Sequence, residues 1–462
     1  MRSVIFRQLA AALLFSLYLW GSRTFIMGEP WWIEGVSGAA LSVWIALFCR
    51  YRMVWYGLLW GMTAVDMLFF PYFHRAVTVT DITLFLTHTG ESFEALFALL
   101  SLFCKSLFFS VGGLGILWWL KTQLRERIPL CTSCRLGGFS LLLLFAMKPH
   151  AWLHTLFLLL SLPFQSPHTS AYRTEIPLYP DVQTDYSVVL IIGESMRYDA
   201  YVAEQLQKLG FFYRKIYSGA TGTDVAVPLL LNVKNDPLQL ATDSETNLFR
   251  LAKKSGYQTC FVSMQTPKAL QYIRPYLQPD HIDSYKSFEK AQREPYYDRL
   301  LLRTLQGIDF GHKQFIVMQQ IGEHAPYRYF YGPKAEDIRT NYYRGVDESF
   351  RLYREVAKHL EERASKYVLI YVSDHGEFIG EGGRYGHNTF APEIYEVPLF
   401  ITANFSLPKG YETIASHYDL SRYIMHLLGY GREFTLPVHE RTHIINGTML
   451  SREDGFKVVH EP

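Results

Sequence analysis

Apolar residues are spread unevenly along this chain of 462 residues. Before residue 165 they form long runs; after it they come in short bursts separated by polar, helix-patterned stretches. A bilayer-spanning helix needs about 20 mostly apolar residues. Five early segments meet that pattern: Val4 to Trp20, Trp31 to Phe48, Met53 to Phe73, Ala95 to Leu120 and Leu136 to Phe164. Lys148, Pro149 and His150 interrupt the fifth, which can divide into a span and an interfacial helix. With five spans, Arg2, Arg7, Arg50, Arg52, Lys121, Arg125, Arg127 and Arg135 fall on one side, and the positive-inside rule makes that side cytoplasmic. No small-residue cleavage site follows the first run, so it reads as a retained anchor. The expected division is a transmembrane domain over 1–164 and an exported domain over 165–462.

In the second part, aliphatic and β-branched runs alternate with amphipathic stretches. Val188 to Ile192, Thr259 to Ser263, Phe315 to Gln319, Tyr367 to Val372 and Leu399 to Thr402 read as strands. Asn247 to Ser255, Glu348 to Arg363 and Tyr418 to Leu428 read as helices. Alternation of this kind predicts an α/β fold, a mainly parallel sheet covered by helices on both faces. Composition adds little. A net charge of +2 implies no pull toward nucleic acid. Cys131 and Cys134 form a lone CxxC, which reads as two incidental thiols, and Cys260 is the one cysteine after residue 165, so no disulfide can form within that part.

Ligands gather at the carboxyl ends of the strands in such sheets. Gly193-Glu194-Ser195 follows the first run, Ile321-Gly322-Glu323-His324 the third and Ser373-Asp374-His375-Gly376-Glu377 the fourth. Carboxylates and imidazoles on one edge, without thiolate, suit zinc or manganese. A nucleophile is available in "YSGATGTDVAVPLLL", Tyr217 to Leu231, where a helix predicted to begin near Asp224 leaves Thr223 as its N-cap. A hydroxyl there faces the positive end of the helix dipole. Ser195 is a rival, but its surroundings do not match the G-x-S-x-G elbow.

Over essentially its whole length the chain resembles the bacterial phosphoethanolamine transferases, on "GESMR" at 193–197, "GTDVAVP" at 222–228, "EHAP" at 323–326, "SDHGE" at 373–377 and "SHYDL" at 416–420. The resemblance implies an inner-membrane enzyme with five spans and a periplasmic domain like alkaline phosphatase and sulfatase. It implies one tightly bound zinc ion, with room for a second. Glu194, Thr223, Asp374 and His375 would hold the metal, Thr223 would be the nucleophile, and His324 and His387 would hold phosphate or the second ion. Thr83, Thr87 and Glu91, at spacing of four in an amphipathic stretch near 79–94, match an Asn-Thr-Glu pattern near the donor's ethanolamine, with Thr83 departing from the asparagine. The donor implied is phosphatidylethanolamine, among the membrane lipids. The acceptor is lipopolysaccharide, at lipid A or the core sugars, or a periplasmic glycan, or a protein. Members acting on lipid A usually carry disulfides near the nucleophile, where this chain has Gly219 and Leu229; that favours another acceptor. The sequon Asn446-Gly447-Thr448 reads as chance.

A phosphoglycerol transferase shares this architecture and is the nearest alternative. Sulfatase chemistry is disfavoured, because Thr223 is followed by Asp224, Val225 and Ala226 rather than by x-Pro-x-Arg. A catalytically inactive membrane scaffold is disfavoured by the complete Glu, Thr, Asp and His set.

Overall fold

The structure is a computed structural model that describes residues 2–27, 32–49, 51–73, 85, 93, 97, 100–124, 178–233, 246–271, 273–289, 292, 294–431, 442–448 and 455–461. It divides into two compact units, Met1–Gln165 with Gly382–Arg384, and Ser166–Glu381 with Tyr385–Pro462. The expected boundary at 164/165, the fifth span, Cys131, Cys134, Thr83, Thr87 and Glu91 all lie outside the described residues.

In the first unit, four helices pair: α1 (Arg2–Met27), α2 (Trp32–Phe48), α3 (Arg52–Phe73) and α4 (Leu100–Gln123). Three of them, over Ser3–Ile26, Arg52–Tyr72 and Phe103–Gln123, are long and apolar enough to cross a membrane. α2 has 17 described residues, at the short end of the range of about 17–25 for a spanning helix. The other three overlap the first, third and fourth expected spans, and the fifth lies outside the described residues. Phe15, Leu19, Ile45 and Tyr56 form the inner seam, while Phe6, Leu14, Phe25, Phe108 and Trp118 are exposed. Large apolar side chains turned outward suit contact with lipid.

The second unit is built on a seven-stranded sheet. Its strands are β1 (Ser187–Gly193), β2 (Phe212–Tyr217), β3 (Gln258–Ser263), β4 (Ser284–Ser287), β5 (Gln314–Gln319), β6 (Tyr367–Ser373) and β9 (Glu396–Ala403); β7 (Phe378–Ile379) and β8 (Tyr385–Gly386) make one small hairpin, and β10 (Thr442–Asn446) and β11 (Phe456–His460) another. The strand order is β2-β9-β6-β1-β5-β3-β4. From β6 through β4 all neighbours are parallel; β9 is antiparallel to both β6 and β2. All seven residues of β1 are buried, as a strand covered on both faces requires. Val188, Leu190 and Ile192 enter one core, and Val189 and Ile191 the other.

The helices cover both faces. α6 (Thr223–Leu231), α7 (Leu248–Lys254) and α10 (His417–Leu427) supply one core; α5 (Ala200–Leu209), α8 (Arg299–Gln306) and α9 (Ile338–Arg363) supply the other. Two boundaries differ from expectation. α9 starts ten residues before Glu348, because Asp337 caps it, accepting from Thr340 N at 2.7 Å. α6 starts at Thr223 itself: Gly222 is the N-cap, extended at φ −160°, and its carbonyl accepts from Ala226 N at 2.9 Å. Thr223 is therefore the first residue of the helix and not its cap.

Candidate active site

Strands β6, β1 and β5 are adjacent, so the residues that follow them meet at one edge. Register fixes this: Gly193 pairs with Ser373, and Ile192 with Gln319. Glu194 and Asp374-His375 leave neighbouring strands side by side. Immediately after Glu194 the chain bends through Ser195 at φ 63°, a conformation that costs a non-glycine residue about 1 kcal/mol. Asp374 holds the bend, its Oδ1 accepting from Ser195 N at 3.1 Å. So does Tyr342 of α9, whose hydroxyl accepts from Arg197 N and donates to the Ser195 carbonyl, both at 3.0 Å. Strain held this firmly is a feature of working sites.

The ligand atoms of Glu194, Asp374 and His375 all lie within 4.8 Å of one another, and the three side chains are buried. Thr223 Oγ1 sits among them, 2.6 Å from Asp374 Oδ2, 3.2 and 3.1 Å from the Glu194 oxygens and 3.2 Å from His375 Nε2. One hydroxyl hydrogen cannot serve three carboxylate oxygens, and the shortest contact assigns it to Asp374, while a protonated His375 Nε2 donates to the threonine oxygen. His375 Nδ1 lies 2.9 Å from the Gly376 carbonyl, which can only accept, so Nδ1 carries a proton and Nε2 faces the cluster. Gly376 is required here, since a side chain would collide with the Glu393 carbonyl and the Arg197 backbone.

These groups compete for protons. Burial pushes the Asp374 carboxyl up to about 7, and the Glu194 charge adds to it. Burial would lower His375, but the Asp374 and Glu194 carboxylates outweigh it and carry the imidazole to about 10. Burial would raise Glu194, yet the hydrogen bond and charge of His375 hold it near 2. Two carboxylates, an imidazole nitrogen and a hydroxyl around one point are a donor set for a divalent cation such as zinc. The residues fit one.

Further donors adjoin. The His387 ring lies 4.2 Å from that of His375, and His324 6.3 Å from His387, centroid to centroid. His387 arrives on the β7–β8 hairpin, is a fifth exposed at 20%, and has Nδ1 3.7 Å from Glu377 Oε1. Burial and the His375 charge lower His387; Glu377, which burial would raise, is held below the ordinary carboxylate range by His387. All six residues of this half of the expected site are thus brought together. Glu323, although part of "EHAP", turns away: it is buried, accepts from Ser349 Oγ at 2.9 Å, and burial raises its carboxyl well above the usual range.

Two contributors went unpredicted. Gln265 donates from Nε2 to Glu194 Oε2 at 3.1 Å, and Glu377 backs His387. Gln265 stands two residues past β3, so the strand-end rule, extended to the second predicted run, finds it. Ser195 Oγ is buried and donates to Glu194 Oε1 at 3.1 Å, whereas Thr223 keeps partial exposure. An incoming group reaches Thr223, not Ser195.

Known proteins place the fold. The Sulfatase family model matches residues 187–430. The sulfotransferase Agl7 of low-salt glycan biosynthesis, from Haloferax volcanii, is 27% identical over 257 residues; the match takes in 51% of this chain and 59% of that relative. Among solved structures, the integral membrane lipooligosaccharide phosphoethanolamine transferase A (EptA) of Neisseria meningitidis aligns over 92% of this chain and 95% of its own, at 15% identity and a TM-score of 0.56. The C-terminal periplasmic domain of Escherichia coli EcEptC, solved with Zn, covers 62% of this chain and 96% of its own, at 16% identity and a TM-score of 0.51. At these identities the likeness shows the fold, and the family model, which spans more than half of the chain, shows descent: this chain belongs to the sulfatase family.

Proposed function

We propose that the protein transfers phosphoethanolamine from phosphatidylethanolamine to an envelope acceptor, lipopolysaccharide or a glycan, through a covalent intermediate on Thr223. One observation carries the reading: a partly exposed hydroxyl lies within 3.2 Å of two carboxylates and an imidazole that are otherwise buried. Apolar helices in the first unit suit a lipid donor. The reading also takes its donor from the kind of transferase named for the EptA and EptC folds, and its cellular setting, an inner membrane with the second unit in the periplasm, from the basic-residue pattern.

Glu194, Asp374, His375 and Thr223 would hold a zinc ion, whose charge lowers the threonine pKa and draws the donor phosphate. Thr223 Oγ1 attacks phosphorus, and its proton passes along the 2.6 Å hydrogen bond to Asp374 Oδ2. The bond from phosphorus to the glyceryl oxygen breaks, and diacylglycerol departs, its oxygen taking a proton from water. His324 and His387 hold phosphate oxygens as charge builds on them. An acceptor hydroxyl or phosphate oxygen then attacks phosphorus, the bond from phosphorus to Thr223 Oγ1 breaks, and Oγ1 regains the proton held on Asp374, while an acceptor hydroxyl gives its own proton to water.

The test is mass spectrometry of the Thr223 peptide after incubation with phosphatidylethanolamine, beside a search for added phosphoethanolamine in envelope fractions with and without the protein. The expected adduct is phosphoethanolamine on Thr223. A phosphoglycerol adduct formed in a parallel incubation with phosphatidylglycerol, with none from phosphatidylethanolamine, would establish the alternative donor. The glycan sulfotransferase relative supports a second reading, transfer of a sulfuryl group to a glycan, for which incubation with a sulfated donor would leave sulfate on the adduct or product. Full turnover by Thr223→Ala would overturn all three.

A further inference from the structure

The turn that delivers Thr223 is held from outside the segment that defines the family. Residues Ser218 to Gly222 precede α6 and contain no secondary structure able to fix them unaided. Ser218 Oγ lies within hydrogen-bonding reach of the carbonyls of Asp374 and of Ala220, the latter at 2.7 Å, and shares its one hydrogen between them. The Thr221 carbonyl accepts from Asn388 N at 3.2 Å. Ser218 N donates to the Tyr395 carbonyl at 2.8 Å. Further ties, on Gly219 and Thr221, come from Asn446, at the end of β10 and beyond the matched segment 187–430. Its carbonyl accepts from Thr221 N at 2.9 Å, its N–H donates to the Gly219 carbonyl at 2.9 Å, and the two form a parallel bridge across Ala220. Its side-chain Nδ2 donates to the same Gly219 carbonyl at 2.9 Å and to the Tyr418 hydroxyl at 2.8 Å.

Asn446 is wholly buried, so its amide cannot exchange these partners for water. A buried donor left without an acceptor costs about 1–3 kcal/mol, which is why an asparagine with both hydrogens used stays in one orientation. That orientation ties Gly219 to Tyr418 on α10, and so ties the nucleophile turn to the core. Thr448, two residues on, closes the other side: its methyl lies 3.0 Å from where a Gly222 side chain would begin. The Asn446-Gly447-Thr448 triplet, which reads as a chance sequon, is thus packed inward against the turn.

We infer that Asn446 is a positioning residue for the transfer reaction, setting the direction of Thr223 Oγ1 through Gly219–Thr221 without touching substrate. The inference rests on the reading of Thr223 as nucleophile. A hydroxyl displaced by about 1 Å from the attack line can lose roughly two orders of magnitude in rate. Removing one side-chain amide while the backbone bridge remains should cost less, on the order of 10-fold in kcat.

The experiment uses the full-length protein in detergent with phosphatidylethanolamine as donor. Asn446→Ala should lower kcat about 10-fold with KM for the donor unchanged. Its metal content, measured by elemental analysis, should match the parent, and amide exchange should quicken at residues 219–224 and nowhere else in the core. Asn446→Asp, the same shape with no hydrogens to donate, should be at least as slow as the alanine variant. If shape alone mattered, Asp would restore the rate, and the inference would fall. A kcat loss matched by loss of folded or metal-loaded protein, with unchanged exchange at 219–224, would also overturn it. If Asn446→Ala does not fold, Tyr418→Phe removes only one acceptor and should give about a 3-fold fall in kcat with the same local exchange; no effect on either sinks the proposal. Thr223→Ala run alongside separates the two claims. Activity surviving there defeats the nucleophile reading, whereas a dead Thr223→Ala beside a normal Asn446→Ala defeats only this one.

Discussion

Thr223 offers one hydrogen to three carboxylate oxygens, and the site's chemistry follows from that mismatch. Replacing it by alanine removes the attacking oxygen but none of Glu194, Asp374 or His375. Transfer should fall by roughly 10⁴-fold or more while bound metal persists, checked by turnover and elemental analysis on one sample. The histidines should divide. His375 points Nε2 into the cluster, so His375→Ala should strip the metal; His387, whose neighbour is Glu377, should keep about one ion after His387→Ala and lose rate instead. Equal metal loss in both variants would show that the division is misdrawn. Glu194, Asp374 and His375 were legible because each directly follows an unmistakable buried strand. Gln265 was not, because a neutral amide carries no signature of chemistry until its carboxylate partner is seen. The start of α6 escaped for a smaller reason. A small-residue turn has several extended positions, and only the Gly222 backbone decides which one is the cap.

At the scale of elements, the first turn of α10 does work that its motif does not advertise. His417, wholly buried, donates from Nε2 to the Ser373 carbonyl at 2.9 Å, bracing the strand end that carries Asp374 and His375. Burial lowers its pKa from 6.5 to about 4. The folded state then binds fewer protons than the unfolded chain between those values. Stability is fully present above pH 6.5 and is lost as pH falls toward 4, by about 3 kcal/mol at about 1.36 kcal/mol per unit. His417→Gln, which can still donate to Ser373 but does not titrate, should flatten that acid slope in denaturant melts between pH 7 and 4. An unchanged slope would assign the acid sensitivity elsewhere. The central strands were readable as unbroken aliphatic runs, and α7 and α10 as amphipathic periods. β2 (FYRKIY) and β4 (SYKS) were not: edge strands are paired on one side, and their polar residues break the apolar pattern.

For the molecule as a whole, the arginine-rich stretch Lys121 to Arg135 should be cytoplasmic, and Thr223 and His375 on the opposite side of the membrane. A reporter fused after residue 165 should be active only when exported. Activity confined to the cytoplasm would overturn both the orientation and the supply of donor from the outer leaflet. The division into a greasy half and an α/β half was plain from the distribution of apolar residues. The number of spans was less so, because an apolar helix of 17 described residues, such as α2, sits at the boundary between a span and a shorter helix.

Cys260 is buried in β3, and no second cysteine follows residue 165. The turn before α6 is gathered instead by hydrogen bonds to the Asp374 carbonyl and from Asn388 and Asn446. Such a turn has no oxidation state. Chains made in a strongly reducing cell-free extract should reach the same geometry as chains made in an oxidising compartment, and a thiol reductant added to the finished protein should leave its turnover unaltered.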